Sequence, residues 1–291
     1  MRIFSLLMVA LLASACSSSA PVESPEPAET AGDELVDDAA QDEDEEEGDE
    51  AETPSIDEIL AGDQRSDAER ARDQYRNPKE TLAFFGVEPG KDVLELAPGG
   101  GWYTRILAPM LRHEGSLTVA LPDGRYGDAF RALAEENPEF YGHIAQARLA
   151  PQEGAALGEP ESVDVAITFR NIHGWVNAGI TEATFAAVFD VLRPGGVFGV
   201  VQHREAEGRE LDASRGYIPE AYVIELAQKA GFELEARSEI NANPRDTKDH
   251  ASGVFSLLPA QRGEESEEEK ARLAEIGESD RMTLKFRKPA N

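Results

Sequence analysis

The chain has 291 residues, with 28 Lys and Arg against 57 Asp and Glu, a net charge of −29 and a single cysteine. That balance excludes a basic nucleic-acid footprint, so DNA or RNA is not expected as a partner. A lone cysteine excludes an internal disulfide framework.

The first sixteen residues, MRIFSLLMVALLASAC, carry one basic residue (Arg2), an apolar run from Ile3 to Ala13 and small residues before Cys16. The run is too short to span a bilayer, and its layout is that of an export signal over residues 1–15. LASAC resembles the lipobox of bacterial lipoproteins, with Ala13 where leucine is usual; the alternative is a plain signal cut near Ala15. The resemblance implies acylation of Cys16, contact with membrane only through that lipid, and, from Ser17, an exported domain on the outer membrane facing the periplasm. From Ser17 to Gln64 there are 19 Asp and Glu and no Lys or Arg. Residues 16–54 read as an acidic disordered tether, because such a segment cannot bury enough apolar surface to offset its ordering entropy. The alternating oxygen ligands and glycine of a calcium loop are missing from it. Beyond it the balance is 27 basic against 38 acidic residues from Arg65 onward, and residues 55–291 are long enough for one α/β domain.

In that domain, N-terminal helices are expected over residues 55–86: Ser55–Leu60, then Ser66–Tyr75 opened by a Ser66/Glu69 capping box, then a segment from Pro78 stopped by Gly86. The core, 87–291, alternates strands and helices. VEPGKDVLEL, a turn and the first strand, leads to a helix over Trp102–Leu111, strand Ser116–Leu121, a helix over Gly127–Glu136 and a weak strand near His143–Leu149. Strand Val163–Phe169 precedes a helix over Glu182–Leu192, the turn RPGG and strand Val197–Gln202. A helix over Pro219–Ala230 feeds strand FELEARSEI. The last strand, Arg281–Lys288, follows a long polar insertion rather than a helix and is placed antiparallel beside strands five and six. Strands separated by helices of this length predict a mostly parallel sheet covered on both faces.

The first strand runs into ELAPGGGWYT, Glu95 to Thr104. A Walker loop needs Lys-Ser or Lys-Thr after its glycines, and none is present. A dinucleotide fingerprint needs a third glycine three places after Gly101, where Thr104 stands. The acid-x-G-x-G-x-G pattern remains, with Glu95 as the acid, Ala97 in place of the first glycine, and Pro98, Gly99, Gly100 and Gly101 completing it. Together with the strand order, this turn resembles that of class I S-adenosylmethionine-dependent methyltransferases. RARDQYRNPKETLAFFGVEPGKDVLELAPGGGWYT, NANPRDTKDHASGVFSLLP and IGESDRMTLKF resemble a bacterial family of predicted methyltransferases of unassigned substrate, over roughly Ser66 to Pro289. The resemblance implies an α/β, Rossmann-like fold with a seven-stranded sheet, S-adenosyl-L-methionine as cofactor and a small-molecule methyl acceptor. The alternative is a binding or scaffolding lipoprotein that keeps the fold without the catalysis.

Site residues follow from the resemblance. Glu95 meets the cofactor's ammonium group directly or through water, bare backbone at Gly99 and Gly101 admits its methionine portion, Ala97 is a small change from glycine if its φ stays negative, and Tyr103 and Asn171 complete the cradle. The acid that usually ends the second strand is replaced by Leu121, leaving Asp123 as the candidate for the ribose hydroxyls. TFRNIHGW at the end of the fourth strand brings His173 to the reacting end as a candidate base, with His203 as a second. Arg204, Arg215 and Tyr217 are expected at the same mouth. Asp246, Asp249 and His250 match no metal-ligand signature and suggest a capped turn or a closing loop.

Overall fold

The structure, a computed structural model, describes residues 53–263 and 266–290. The export signal, Cys16 and the acidic tether as far as residue 52 lie outside the described residues. Helices α1 (Ile56–Ala61), α2 (Asp67–Arg70), α3 (Asp73–Arg76) and α4 (Pro78–Phe85) precede the first strand. Then come β1 (Asp92–Leu96), α5 (Thr104–Leu111), β2 (Ser116–Leu121), α6 (Arg125–Glu136), α7 (Pro138–Tyr141) and β3 (Ala145–Arg148). After them follow β4 (Val163–Phe169), α8 (Ile172–Ala178), α9 (Thr181–Val191) and β5 (Leu192–His203). The remainder is α10 (Glu220–Ala230), β6 (Glu233–Ser238), α11 (Glu267–Ile276) and β7 (Arg281–Arg287). Among the described residues no helix is long and apolar enough to cross a membrane.

The seven strands form one sheet in the order β3-β2-β1-β4-β5-β7-β6. Pairs from β3 through β5 are parallel, and β7 is antiparallel to both β5 and β6. The expected placement of the last strand is thus the observed one. Strands β1 and β4 read as near-continuous apolar runs because both faces are covered. Leu94, Ala166 and Phe198 join one core cluster with Phe185 and Phe286. Val93, Val165 and Val197 join the other, with Ile106, Val119 and Phe130. Helix α4 packs closely on the sheet because Gly199 of β5 has no side chain: a Cβ there would lie 2.6 Å from the Phe85 ring.

Three local expectations are corrected. The single helix over Ser66–Tyr75 is two short turns, α2 and α3, and the break leaves Arg72 free to reach Glu278 at 2.6 Å. The RPGG turn is absorbed into β5, since Gly195 N–H donates to the Lys288 carbonyl and Lys288 N–H to that of Gly196, prolonging the pairing. The acidic run before β7 forms α11. Ser266 caps it, its glutamates sit in the first turn where the helix dipole favours them, and Leu273 and Ile276 pack on Leu257. The chain after β4 turns at once into α8 through Arg170, which adopts φ 64.

Candidate functional site

The sheet order reverses direction between β1, which continues to β2 on one side, and β4 on the other. In parallel α/β sheets such a switch point opens a crevice outside the carboxyl ends of the strands. Here it widens into a cavity of about 770 Å³, in the size range of small-molecule sites. One half lies over β1 and β2 and is lined by Glu95, Ala97, Gly99, Gly100, Leu121 and Pro122. The other lies over β4, β5 and β7, where Arg170, His173, His203 and Arg281 reach it.

The glycine turn is shaped as a ligand cradle. Gly99 adopts φ 61, and neither it nor Gly100 has any atom within 4 Å of where a Cβ would project. Gly101 serves differently: it is absent from the lining, and a Cβ there would meet Arg105, Phe130 and Leu133 at 3.4–3.7 Å. Ala97 does not keep a negative φ but sits at φ 50. Its left-handed backbone costs an alanine on the order of 1 kcal/mol, and what holds it is Asn171. The Asn171 Nδ2 donates to the carbonyls of Leu96 (2.9 Å) and Ala97 (3.3 Å) and to Thr168 Oγ1 (3.0 Å). Asn171 lines the cavity and also fastens the turn to the end of β4.

Glu95 is 2% exposed and accepts a hydrogen bond from Thr104 Oγ1 at 2.6 Å. Burial pushes its carboxyl up to about 7, against the Thr104 hydroxyl, which pulls it down. A carboxyl so placed ionises readily when a cation arrives beside it. Tyr103 is a wall rather than a hydrogen-bonding arm: its ring stacks on Phe169 at 3.5 Å, and its hydroxyl donates to the Arg76 carbonyl at 3.3 Å. Trp102 is held between two guanidinium groups, Arg65 at 5.0 Å and Arg76 at 4.5 Å from its ring, and Nε1 donates to the Glu69 carbonyl at 3.2 Å. The N-terminal helices are thereby tied to the glycine turn.

Asp123 is not brought to the site. It stands outside the lining, and both carboxylate oxygens are engaged by Arg148, whose other partner is Glu153. The lining of this half therefore carries the Glu95 carboxyl and an apolar group of Leu121, Pro122 and Leu149, and Asp123 adds nothing to it.

His173 and His203 converge as expected, ring centroids 5.7 Å apart. Burial, then the nearby Arg170 guanidinium, lowers His173 to about 4. Burial, Arg170 and Arg281 hold His203 well below the usual imidazole range, and its Nδ1 lies 2.5 Å from Ser279 Oγ. Gln202 fixes the His173 tautomer. Its Oε1 accepts from Ile172 N–H at 3.1 Å and its Nε2 donates to the Gly216 carbonyl at 3.0 Å, so its second amide proton points at His173 Nδ1, 3.4 Å away. Neutral His173 then carries its proton on Nε2. Both imidazoles are weak bases here.

The other residues placed at the mouth are engaged elsewhere. Arg204 pairs with Asp280 and Glu239, and Arg215 donates to the Lys248 carbonyl. The Tyr217 hydroxyl donates to Asp246 at 2.9 Å. Asp246 also accepts from His250 Nε2 (3.0 Å) and from the backbone N–H of Lys248 (3.0 Å) and Asp280 (2.8 Å). It is a buried hydrogen-bond hub that anchors the loop before β7. That loop then supplies Val254, Phe255 and Leu258 to the cavity roof. Of the five arginines lining the cavity, Arg262 lies over the Phe255 ring at 5.6 Å, while Arg72, Arg76, Arg170 and Arg281 come from three separate segments that no local pattern joins.

No family model matches the chain. A sterol 24-C-methyltransferase from Yarrowia lipolytica is 28% identical over 178 residues, which cover 56% of this chain and 45% of that protein. The chain thus spans about half the length of the curated relative it matches. In fold, the [4+2]-cyclase SpnF superposes with a TM-score of 0.52 at 15% identity, covering 79% of this chain and 85% of the other. A "putative sarcosine dimethylglycine methyltransferase" from Galdieria sulphuraria gives 0.52 at 17% identity, covering 76% and 86%. The architecture is the Rossmann-like class I methyltransferase fold. One of these two neighbours is described as a cyclase, so the fold leaves the reaction to the site.

Proposed function

We propose that the protein is an S-adenosylmethionine-dependent methyltransferase acting on a small-molecule acceptor. The observation that carries this reading is the cradle at the switch point: Gly99 and Gly100 present bare backbone to open cavity, and Asn171 pins the strained Ala97 beneath them. A side chain at either glycine would occupy the space a ligand needs. Glu95 suits the cofactor's ammonium group, and Leu121, Pro122 and Leu149 suit its adenine. When bound, the cofactor supplies an electrophilic methyl group on a sulfonium. The chain's own residues orient and desolvate: the Tyr103–Phe169 stack walls the centre of the cavity, Phe255 and Leu258 roof it, and His173 offers an Nε2–H donor to an acceptor atom. Such positioning is the main contribution a protein makes to an in-line transfer.

The sequence similarity to a methyltransferase supports the reading. Titration of the full chain with S-adenosylhomocysteine tests it. Binding is expected, and Gly99→Val, which adds a β-branched side chain at φ 61, is expected to weaken it by tenfold or more. No binding at millimolar ligand overturns the proposal. We further propose that the domain is exported and anchored through a lipid on Cys16, a reading that rests on the first sixteen residues alone. Acyl labelling lost in Cys16→Ser supports it; labelling that persists rejects it.

A further inference from the structure

The half of the cavity over β4, β5 and β7 is walled by cations. Arg72 and Arg76 enter from the N-terminal helices, Arg170 from the turn after β4, and Arg281 from the start of β7, where the register sets it beside His203. One carboxylate serves them. Glu278 contacts Arg72 at 2.6 Å, Arg76 at 3.4 Å and Arg281 more closely still. Burial would raise the Glu278 carboxyl, yet Arg281, Arg76 and Arg72 outweigh it and hold the group down at about 2. Four guanidinium groups thus share one negative charge. The other nearby carboxyls are committed: Glu69 to Arg105 at 2.9 Å, and Asp280 to Arg204 and Lys248.

Arg170 is the group left over. No hydrogen bond or ion pair among the described residues engages its guanidinium, although it faces the cavity. Arg76 and Arg281 are 3% and 2% exposed, and Arg76 Nη2 and Arg281 Nε are buried without an acceptor, as is Arg72 Nη2. Burial, with Arg76 and Arg281 next, drives Arg170 well below its usual value. Arginine keeps its proton in proteins, so the charge is held against lost hydration first and repulsion second, and an anion beside it would offset both. Gathering guanidiniums this far out of water is costly unless enough negative charge completes the set.

We propose that this half of the cavity binds a carboxylate or phosphate-type oxyanion of the methyl acceptor, with Arg170 as its direct partner and Arg72, Arg76 and Arg281 completing the cationic wall. The acceptor is then a small organic anion whose apolar body lies against Phe255 and the Tyr103–Phe169 stack. Arginine forks match such oxyanions in geometry as well as charge. The assignment rests on the methyltransferase reading for the word acceptor; the anion site itself does not.

The test loads the full chain with S-adenosylhomocysteine and titrates it with benzoate, phenyl phosphate and neutral benzyl alcohol. At least one anion is expected to bind tenfold or more tightly than benzyl alcohol. Arg170→Gln is expected to weaken that anion about tenfold or more, leaving S-adenosylhomocysteine within twofold, while Arg170→Lys keeps part of the affinity. Should Arg170→Gln fail to fold, Arg72→Gln, partly exposed, takes its place with the same expectation. Anions no tighter than benzyl alcohol on the loaded protein overturn the inference and leave the methyltransferase reading standing. It also falls if Arg170→Gln weakens S-adenosylhomocysteine but not 5′-methylthioadenosine, which lacks the amino-acid end; the arginines would then serve the cofactor. If S-adenosylhomocysteine does not bind at all, the methyltransferase reading fails. The same anion titration on the unliganded chain then decides: Arg170-dependent binding upholds the anion site, and its absence removes it.

Discussion

Asn171 donates its side-chain amide to the Leu96 carbonyl at 2.9 Å, joining the end of β4 to the end of β1 across 75 residues of sequence. The bond fixes the Ala97 carbonyl as well, and so the strained φ on which the glycine turn depends. Asn171→Ala is expected to cost about 1–3 kcal/mol in stability and to weaken S-adenosylhomocysteine more than tenfold. Calorimetry and thermal unfolding together check it. A normal affinity in the variant would show that the turn holds its shape unaided.

The raised Glu95 carboxyl predicts a pH dependence of stability and of ligand affinity. Its folded carboxyl is raised to about 7 from an ordinary value of 4.5, so the folded state is at no disadvantage below 4.5. The stability associated with the protonated carboxyl is lost as pH rises from there through 7. Above 7 the ionised group costs up to about 3 kcal/mol. Glu95→Gln is therefore expected to raise the melting temperature at pH 8 and to change it little at pH 4.5. An ammonium group favours the carboxylate, so S-adenosylhomocysteine binding should weaken as pH falls below 7, by at most tenfold per unit, and the variant should lose that slope. A pH-independent affinity in the native chain would place the ammonium group elsewhere.

Asp123 gives a prediction of no effect. With its carboxylate held by Arg148 outside the cavity, Asp123→Ala should leave S-adenosylhomocysteine affinity within twofold. A loss of tenfold would mean that the loop after β2 rearranges to reach the ribose.

Gly199 tests the packing of α4 on the sheet. A methyl group there would stand 2.6 Å from the Phe85 ring, and Gly199→Ala is expected to destabilise by about 1–3 kcal/mol. Combining it with Phe85→Leu should recover part of that loss in thermal unfolding, since the two residues share one contact.

The sheet was legible in the sequence because buried parallel strands write themselves as apolar runs, and the glycine turn because its spacing excludes the other nucleotide loops. The carboxyl edge of β4 was legible as to residue type, and Asn171, His173 and His203 do reach the cavity. What Asn171 holds could not be read, since a bond between residues 75 positions apart leaves no local pattern. The same is true of the arginines: Arg72, Arg170 and Arg281 come together only once β7 lies beside β5. The acidic run before β7 misled because its polarity suggests a loop, whereas Ser266 and three first-turn glutamates make a capped helix start. Asp123 follows β2 where an acid is expected, but Arg148 at the end of the neighbouring strand β3 captures its carboxylate, a pairing that sequence distance hides.

The interleaving of β7 between β5 and β6 has a consequence for the order of assembly. Strand β6 is made before β7 yet pairs in the sheet with β7 alone, so it waits for a later segment before it has any partner. Over that interval one edge of β5, the longest strand, also stands uncovered and open to pairing with a second copy of the chain. The segment that closes this edge brings Ser279 and Arg281 to the cavity in the same event. In a chain whose cavity is complete, that edge of β5 is therefore already covered.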